Sequence, residues 1–143
     1  MQELIAHAAQ LGVSVHVAHI DGPERGFYDA ENNVVVYDFE LTYIERRCVL
    51  AHELGHVYYG HECFGNPKFE EDADYYAALL LIVPEEYIVA EGLDPAPDAI
   101  AEELLVEPRI VRAYEKRALV RLHGVTYVQP KFGRKQFRFA GLA

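Results

Sequence analysis

Apolar residues alternate with small or polar ones over residues 13–20, and short apolar runs follow at residues 27–28 and 34–37; both patterns favour β-strands. Residues 13–20 predict a strand with small and polar side chains on one face, after a short helix over residues 2–11. Two more strands are predicted at 27–28 and 34–37, because Glu31, Asn32 and Asn33 between them supply turn chemistry. The pattern therefore predicts a small N-terminal sheet, antiparallel or mixed.

The segment after this sheet carries the start and stop signals of a long helix. Thr42 is followed three residues later by Glu45, the spacing of a capping box, in which each side chain accepts the backbone N–H of the other residue. A long apolar run follows, and Gly60 suits the left-handed conformation that ends many helices. The sequence therefore predicts a helix from Thr42 to Gly60.

A second central helix is predicted over residues 67–83. Asn66 is a preferred N-cap residue, Pro67 suits the first helical position, and another proline ends the run. Further helices are predicted near residues 98–106 and 108–123. We therefore expect an α+β fold in which the small sheet packs on the two central helices, followed by C-terminal helices.

Length and composition set limits on the class of protein. The chain has 143 residues, of which 51% are hydrophobic, enough for a core, and we expect one domain over 1–128 with a basic, aromatic tail over 129–143. No stretch approaches the roughly 18 apolar residues of a membrane span, and the N-terminus lacks a secretory pattern. Cys48 and Cys63 are too few for a disulfide scaffold, so we expect two thiols, with Cys48 in the core, and a cytoplasmic protein.

Charge is distributed unevenly along the chain. Residues 1–106 hold 21 acidic and 4 basic residues, whereas residues 107–143 hold 2 acidic and 9 basic ones. Aromatic residues are interleaved with the bases of the tail, a composition that can bind nucleic acid. The net charge of −10 argues against nucleic acid as the main substrate, and we expect the tail to fold back on the acidic body. The bases of the tail are Lys131, Arg134, Lys135 and Arg138.

The run from His52 to His56 has the HExxH spacing of zinc hydrolases. Residues four apart share a helix face, so His52 and His56 can reach one metal ion. Glu53 lies beside them, where it can hold a water molecule and accept its proton. The motif therefore predicts two metal ligands and a general base on the first central helix.

A catalytic zinc usually takes three protein ligands and keeps a fourth position open. Glu70 and Asp74 lie one turn apart on one face of the second central helix, so Glu70 can bind the metal while Asp74 accepts the outer N–H of a ligand histidine. Glu71 is the alternative to Glu70. His61 also competes, because some zinc proteases add a third histidine six residues after the second, but here it falls one residue early. We expect His61 to lie behind the ligands or at the surface.

These residues resemble the ImmA/IrrE-type metallopeptidases, a family found widely in phages and mobile elements. The resemblance rests on residues 47–56, 70–78 and 84–86 and covers about residues 27–125. The order of sheet, metal helix and ligand helix is also similar to this family.

The resemblance implies a zinc-dependent endopeptidase in which Glu53 is catalytic and His52, His56 and Glu70 bind the metal. It also implies a protein substrate, a helix-turn-helix repressor whose cleavage or inactivation relieves repression. The strand at 34–37 could hold an extended substrate by edge pairing. The alternative is a non-catalytic, metal-stabilised module that inhibits a repressor by binding it, although a structural site has no use for the intact Glu53.

Overall fold

A computed structural model describes residues 1–61, 65–122, 125–128 and 138–142, with side chains through residue 119. The described part has the predicted α+β composition. Its helices are α1 (Gln2–Gln10), α2 (Tyr43–Tyr59), α3 (Pro67–Leu81), α4 (Pro84–Leu93), α5 (Pro97–Leu104) and α6 (Pro108–Arg117). Its strands are β1 (Ser14–Ala18), β2 (Gly26–Asp29), β3 (Val34–Asp38), β4 (Leu119–Leu122), β5 (Val125–Val128) and β6 (Arg138–Leu142).

The chain divides into two compact units, Met1–Ala77 and Ala78–Ala143. All the proposed metal ligands and their neighbours lie in the first unit. The predicted division into a domain over 1–128 and a tail over 129–143 stays a prediction.

The N-terminal sheet is mixed, with strand order β1-β3-β2. β3 pairs in parallel with β1 and antiparallel with β2, so β3 is the central strand and β2 is an edge. In the hairpin between β2 and β3, Asp29 Oδ1 accepts the backbone N–H groups of Glu31 and Asn32 at 3.1 and 3.2 Å. Asn33 takes the left-handed conformation, with φ of 52°. The turn residues identified from sequence thus form the hairpin.

Helix α2 begins with the predicted capping box. Thr42 Oγ1 accepts the backbone N–H of Glu45 at 3.2 Å, and Glu45 Oε1 accepts that of Thr42 at 3.0 Å. The helix ends at Gly60, whose φ of 70° is left-handed. The stretch between Cys48 and His56 is buried throughout, which places the HExxH motif inside the first unit.

Helix α3 crosses α2 at very short range. Asn66 Oδ1 accepts the backbone N–H groups of Lys68 and Phe69 at 3.0 and 3.4 Å, as expected of the predicted N-cap. A Cβ atom added to Gly55 on α2 would lie 2.8 Å from Cα of Ala73 on α3 and 3.0 Å from its carbonyl oxygen. Glycine therefore allows the two backbones to approach closely enough for side chains of both helices to share a site.

Apolar residues of both helices form most of the core of the first unit. Cys48 is fully buried in it, as predicted, while Cys63 lies outside the described residues. A smaller cluster of Tyr37, Leu41 and Val49 packs the sheet against α2. The other core residues of this unit include Leu4, Ala8, Val13, Val35, Leu50, Ala51, Leu54, Ala73, Tyr76 and Ala77.

The second unit contains α4, α5, α6 and an antiparallel sheet of order β4-β5-β6. The helix predicted over 108–123 is wrong at its C-terminal end, because Leu119–Leu122 forms β4 and pairs with β5. Residues that are compatible with a helix continue past Arg117, but pairing with β5 makes this segment a strand. Part of the predicted tail forms β6, which pairs with β5. The tail bases Lys131, Arg134 and Lys135 lie outside the described residues.

Side chains of α4, α5 and α6, together with Ile82 just before α4, form the core of the second unit. Its largest fully buried side chains are Tyr87, Tyr114, Ile82, Ile100, Ile110 and Val111. Among the residues that the structure describes, no helix combines the length and apolar character that a membrane crossing requires.

Candidate metal centre

His52, His56 and Glu70 converge on one point. The Nε2 atoms of the two histidines are 3.1 Å apart, and Glu70 Oε2 lies 2.8 Å from His52 Nε2. Glu70 Oε1 lies 3.5 Å from His56 Nε2. In a tetrahedral site, two ligand atoms that are each about 2.1 Å from zinc lie about 3.4 Å from each other. The three groups therefore have the chemistry and nearly the spacing of a three-ligand zinc site.

The hydrogen bond behind His52 tests how well this site fits a cation. Asp74 Oδ1 lies 2.8 Å from His52 Nδ1, and because a carboxylate only accepts, Nδ1 carries the hydrogen. In the neutral ring this leaves a lone pair on Nε2, directed at Nε2 of His56 and at the Glu70 carboxylate. Electron-rich atoms at such distances need a proton or a cation between them. The donor set thus fits a metal ion.

Burial controls the protonation of the second histidine. Burial and, next, the neighbouring His52 lower the pKa of His56 from its ordinary value to about 4. His56 is therefore neutral near pH 7, which is the form that binds metal. Four of the five buried polar or charged residues in the side chains described belong to this region: His52, Glu53, His56 and His61.

Glu53 lies close to the edge strand β2 of the sheet. Its side chain is buried on α2, and a Cβ atom added to Gly26 at the start of β2 would lie 3.7 Å from Glu53 Cγ. The same Cβ would lie 2.5 Å from Cγ1 of Val49, so a side chain at position 26 would not fit. The edge strand therefore runs directly beside the proposed general base.

The expectation that strand 34–37 pairs with an extended substrate is wrong, because β3 is paired on both sides. Among the strands that the structure describes, β2 is the edge strand that lies beside Glu53. The backbone N–H of Asp38 bonds to the carbonyl of Arg25, and in an antiparallel ladder bonded and non-bonded pairs alternate. The backbone groups of Gly26 and Tyr28 therefore point away from β3. These groups form the edge that a peptide could join.

The two alternative third ligands lie elsewhere. Glu71 is exposed and is not part of the three-residue group that could hold a metal. His61 is buried behind His56, with 3.0 Å between the two Nδ1 atoms, and lies outside the same group. The structure brings Glu70 to the Nε2 atoms of His52 and His56, whereas His61 contacts His56 only at Nδ1, on the other side of its ring.

The expectation that His61 lies behind the ligands is confirmed, because its Nδ1 atom lies 3.0 Å from Nδ1 of His56. The signal for this contact was Gly60, because a left-handed residue reverses the chain and returns the next side chain toward the helix. The sequence did not predict the contact between Gly26 and Glu53. No local signal pointed to that contact, since it depends on how β2 docks on α2.

A peptidase also needs a group that stabilises negative charge on the reacting carbonyl, and a tyrosine hydroxyl can do so. The sequence leaves five candidates for this role, namely Tyr37, Tyr58, Tyr59, Tyr76 and Tyr87. Tyr76 is buried, which raises its pKa, and its hydroxyl lies 2.6 Å from His7 Nε2. The hydroxyl of Tyr87 in the second unit lies 2.8 Å from carboxylate oxygens of both Glu91 and Glu115. Both hydroxyls therefore already have hydrogen-bond partners.

Comparison with known proteins agrees with this geometry. The family model for the peptidase M78, IrrE N-terminal-like, domain matches residues 8–127, which is most of the chain. No curated protein matches the chain. The matched region includes the HExxH helix and the helix that carries Glu70. The chain therefore belongs to the IrrE N-terminal-like family of peptidases.

Proposed function

We propose that this chain is a zinc-dependent endopeptidase that cleaves a helix-turn-helix transcriptional repressor. The observation that carries the peptidase proposal is the convergence of His52, His56 and Glu70, with Glu53 next to the first ligand. Family membership supports a metallopeptidase, while zinc as the metal and the repressor as the substrate are parts of the proposal. The repressor as substrate is proposed from the resemblance to ImmA/IrrE-type proteins, and a cytoplasmic location is proposed with it.

The proposed mechanism assigns a separate task to each part of the site. A zinc ion bound by His52, His56 and Glu70 would supply Lewis acidity at the scissile carbonyl and lower the pKa of the attacking water. Glu53 accepts the proton of that water and delivers it to the departing amine nitrogen. Asp74 holds the His52 ring in the tautomer that directs Nε2 at the site.

The proposed substrate pairs with strand β2. An extended peptide that pairs with the outward backbone groups of Gly26 and Tyr28 lies along the strand that runs beside Glu53. Main-chain pairing holds a peptide with little dependence on its side chains. It also requires an unfolded or exposed segment, because a residue already bonded in a helix cannot join a strand. We therefore propose that cleavage occurs in a loop or linker of the repressor.

The experiment is to incubate purified protein with the helix-turn-helix repressor encoded beside it, with and without zinc, and to follow cleavage by mass spectrometry. Glu53→Gln should retain one zinc per chain and lose cleavage by at least about 100-fold, because only proton transfer is removed. A Glu53→Gln protein that inactivates the repressor as well as the parent does would instead support the non-catalytic binding module.

Metal content is measured on the same preparations. His52→Ala and His56→Ala should abolish zinc binding, and Glu70→Gln should weaken it sharply, since two ligands rarely retain the ion. Glu71→Gln is the matched control, because Glu71 is a neighbouring but exposed carboxylate. Normal zinc content in either histidine variant would contradict the assigned site.

A further inference from the structure

His61 lies directly behind His56, on the side opposite the proposed metal. The two Nδ1 atoms are 3.0 Å apart, and the ring centroids are 5.3 Å apart with an angle of 63° between the planes. Gly60 makes this contact possible: its left-handed φ of 70° reverses the chain, and the backbone N–H of His61 then bonds to the carbonyl of His56 at 2.9 Å. The helix end thus fixes one histidine against the other.

The positions of the ring hydrogens determine which of the two histidines donates the hydrogen bond between their Nδ1 atoms. When His56 binds a cation through Nε2, its neutral ring carries the hydrogen on Nδ1, so that atom donates. Nδ1 of His61 must then accept, and the hydrogen of His61 lies on Nε2. This nitrogen faces Asp72 Oδ2 at 3.7 Å, which gives the N–H an anionic neighbour. One arrangement of hydrogens satisfies all three groups.

Aromatic rings hold His61 in place. Phe69 stacks on it with 3.9 Å between centroids and an angle of 9°, and Tyr59 is nearly parallel to it at 5.4 Å. The His61 ring is also buried. The stack restrains the plane of the His61 ring, and Nδ1 is the ring nitrogen that faces His56.

We propose that His61 is a positioning residue that keeps His56 in the tautomer with a lone pair on Nε2 and so raises the affinity of the site for metal. The inference rests on the proposed function, because it assumes that His56 is a ligand. It also explains an asymmetry of the centre: His52 has a carboxylate behind it, whereas His56 has a neutral acceptor that is in turn close to Asp72.

Two substitutions at position 61 separate positioning from packing. His61→Phe retains a ring that can stack on Phe69 but has no acceptor, whereas His61→Asn retains an acceptor atom near the place of Nδ1 but has no ring. On our proposal, His61→Phe lowers zinc affinity by about 10–100-fold, the usual effect of removing a partner behind a ligand, and His61→Asn retains more affinity. Affinity is measured by competition with a chelator of known affinity, alongside thermal unfolding without metal.

The reverse order, with zinc binding unchanged in His61→Phe and weakened in His61→Asn, would show that His61 serves only in packing. If neither variant folds, ¹⁵N NMR of the zinc-loaded parent protein decides the question. Hydrogen on Nε2 of His61 and on Nδ1 of His56 supports the proposal, and hydrogen on Nδ1 of His61 overturns it. A parent protein that binds no zinc would instead refute the proposed function.

Discussion

Asp74 on α3 accepts a hydrogen bond from His52 on α2, with 2.8 Å between Oδ1 and Nδ1. The carboxylate holds the ring and increases its basicity, so we predict that Asp74→Ala lowers zinc affinity by about 10–100-fold. Asp74→Asn should have a smaller effect, because the amide oxygen can still accept. Chelator competition measures both, with Glu71→Ala as a surface control. Equal affinity for the parent and Asp74→Ala would remove Asp74 from the centre.

Gly55 sets the distance between the two helices that carry the ligands. Alanine favours a helix over glycine by up to about 1 kcal/mol. At this position, however, its Cβ would lie 2.8 Å from Cα of Ala73, and overpacking typically costs about 1–3 kcal/mol. We therefore predict that Gly55→Ala lowers both the free energy of unfolding and the affinity for zinc.

The control for this prediction is Gly92→Ala. Gly92 is also helical, but an added Cβ would meet nothing within 4 Å. Because no steric clash opposes it there, the higher helix propensity of alanine should raise the free energy of unfolding of Gly92→Ala slightly. Urea denaturation of both variants measures the difference. Stabilisation by Gly55→Ala equal to that by Gly92→Ala would show that the close approach of α2 and α3 is relaxed in solution.

The edge of β2 is tested by removing one outward N–H group. Tyr28→Pro deletes the hydrogen that points away from β3, at a kind of position where edge strands tolerate proline. Tyr28→Ala is the matched control, because it removes the side chain and keeps the N–H. Loss of one net hydrogen bond of about 1 kcal/mol corresponds to about a fivefold decrease in kcat/KM.

We therefore expect Tyr28→Pro to cleave peptides about fivefold less efficiently than Tyr28→Ala, with the loss mainly in KM. Steady-state kinetics on an unstructured peptide provide the measurement. Identical kcat/KM values for the two variants, both correctly folded, would show that the substrate does not pair with this edge.

The capping box of α2 predicts a pH dependence of stability. The hydrogen bond from the backbone N–H of Thr42 is the largest cause that lowers the pKa of Glu45 below its ordinary value. The folded state therefore favours the ionised form of Glu45. Ionised Glu45 stabilises the fold at pH values above the pKa that it has in the unfolded chain. This stabilisation is lost as pH falls through its lower pKa in the folded chain. The difference in unfolding free energy between the parent and Glu45→Gln should shrink as pH falls from 5 toward 3. A difference in unfolding free energy that stays constant over this pH range would contradict the prediction.

Local signals predicted most of the elements, and contacts between distant segments account for what was missed. Thr42 and Asn66 cap helices with their own side chains, so a few neighbouring residues suffice to predict where α2 and α3 begin. The order of strands in the sheet has no such local signal. The sequence did not predict that β3 pairs with β1 as well as with β2, and this double pairing makes β3 the central strand. The change from helix to strand at Leu119 likewise depends on β5.

The site shows the same division between local and distant information. The spacing of His52 and His56 is a property of one helix and was readable from the sequence. The choice of Glu70 over Glu71 depends on which face of α3 meets α2. The position of His61 depends on a single left-handed residue, Gly60, which a pattern of ligand spacings does not contain.

The close crossing at Gly55 would give a bound metal ion a second role, that of a reversible cross-link. Its proposed ligands come from two helices, His52 and His56 from α2 and Glu70 from α3, so a bound ion would tie these helices together. An ion that binds only the folded chain adds about 1.4 kcal/mol to stability for each tenfold rise in its free concentration above the dissociation constant. The lifetime of the folded protein among cellular proteases would then rise and fall with the supply of metal.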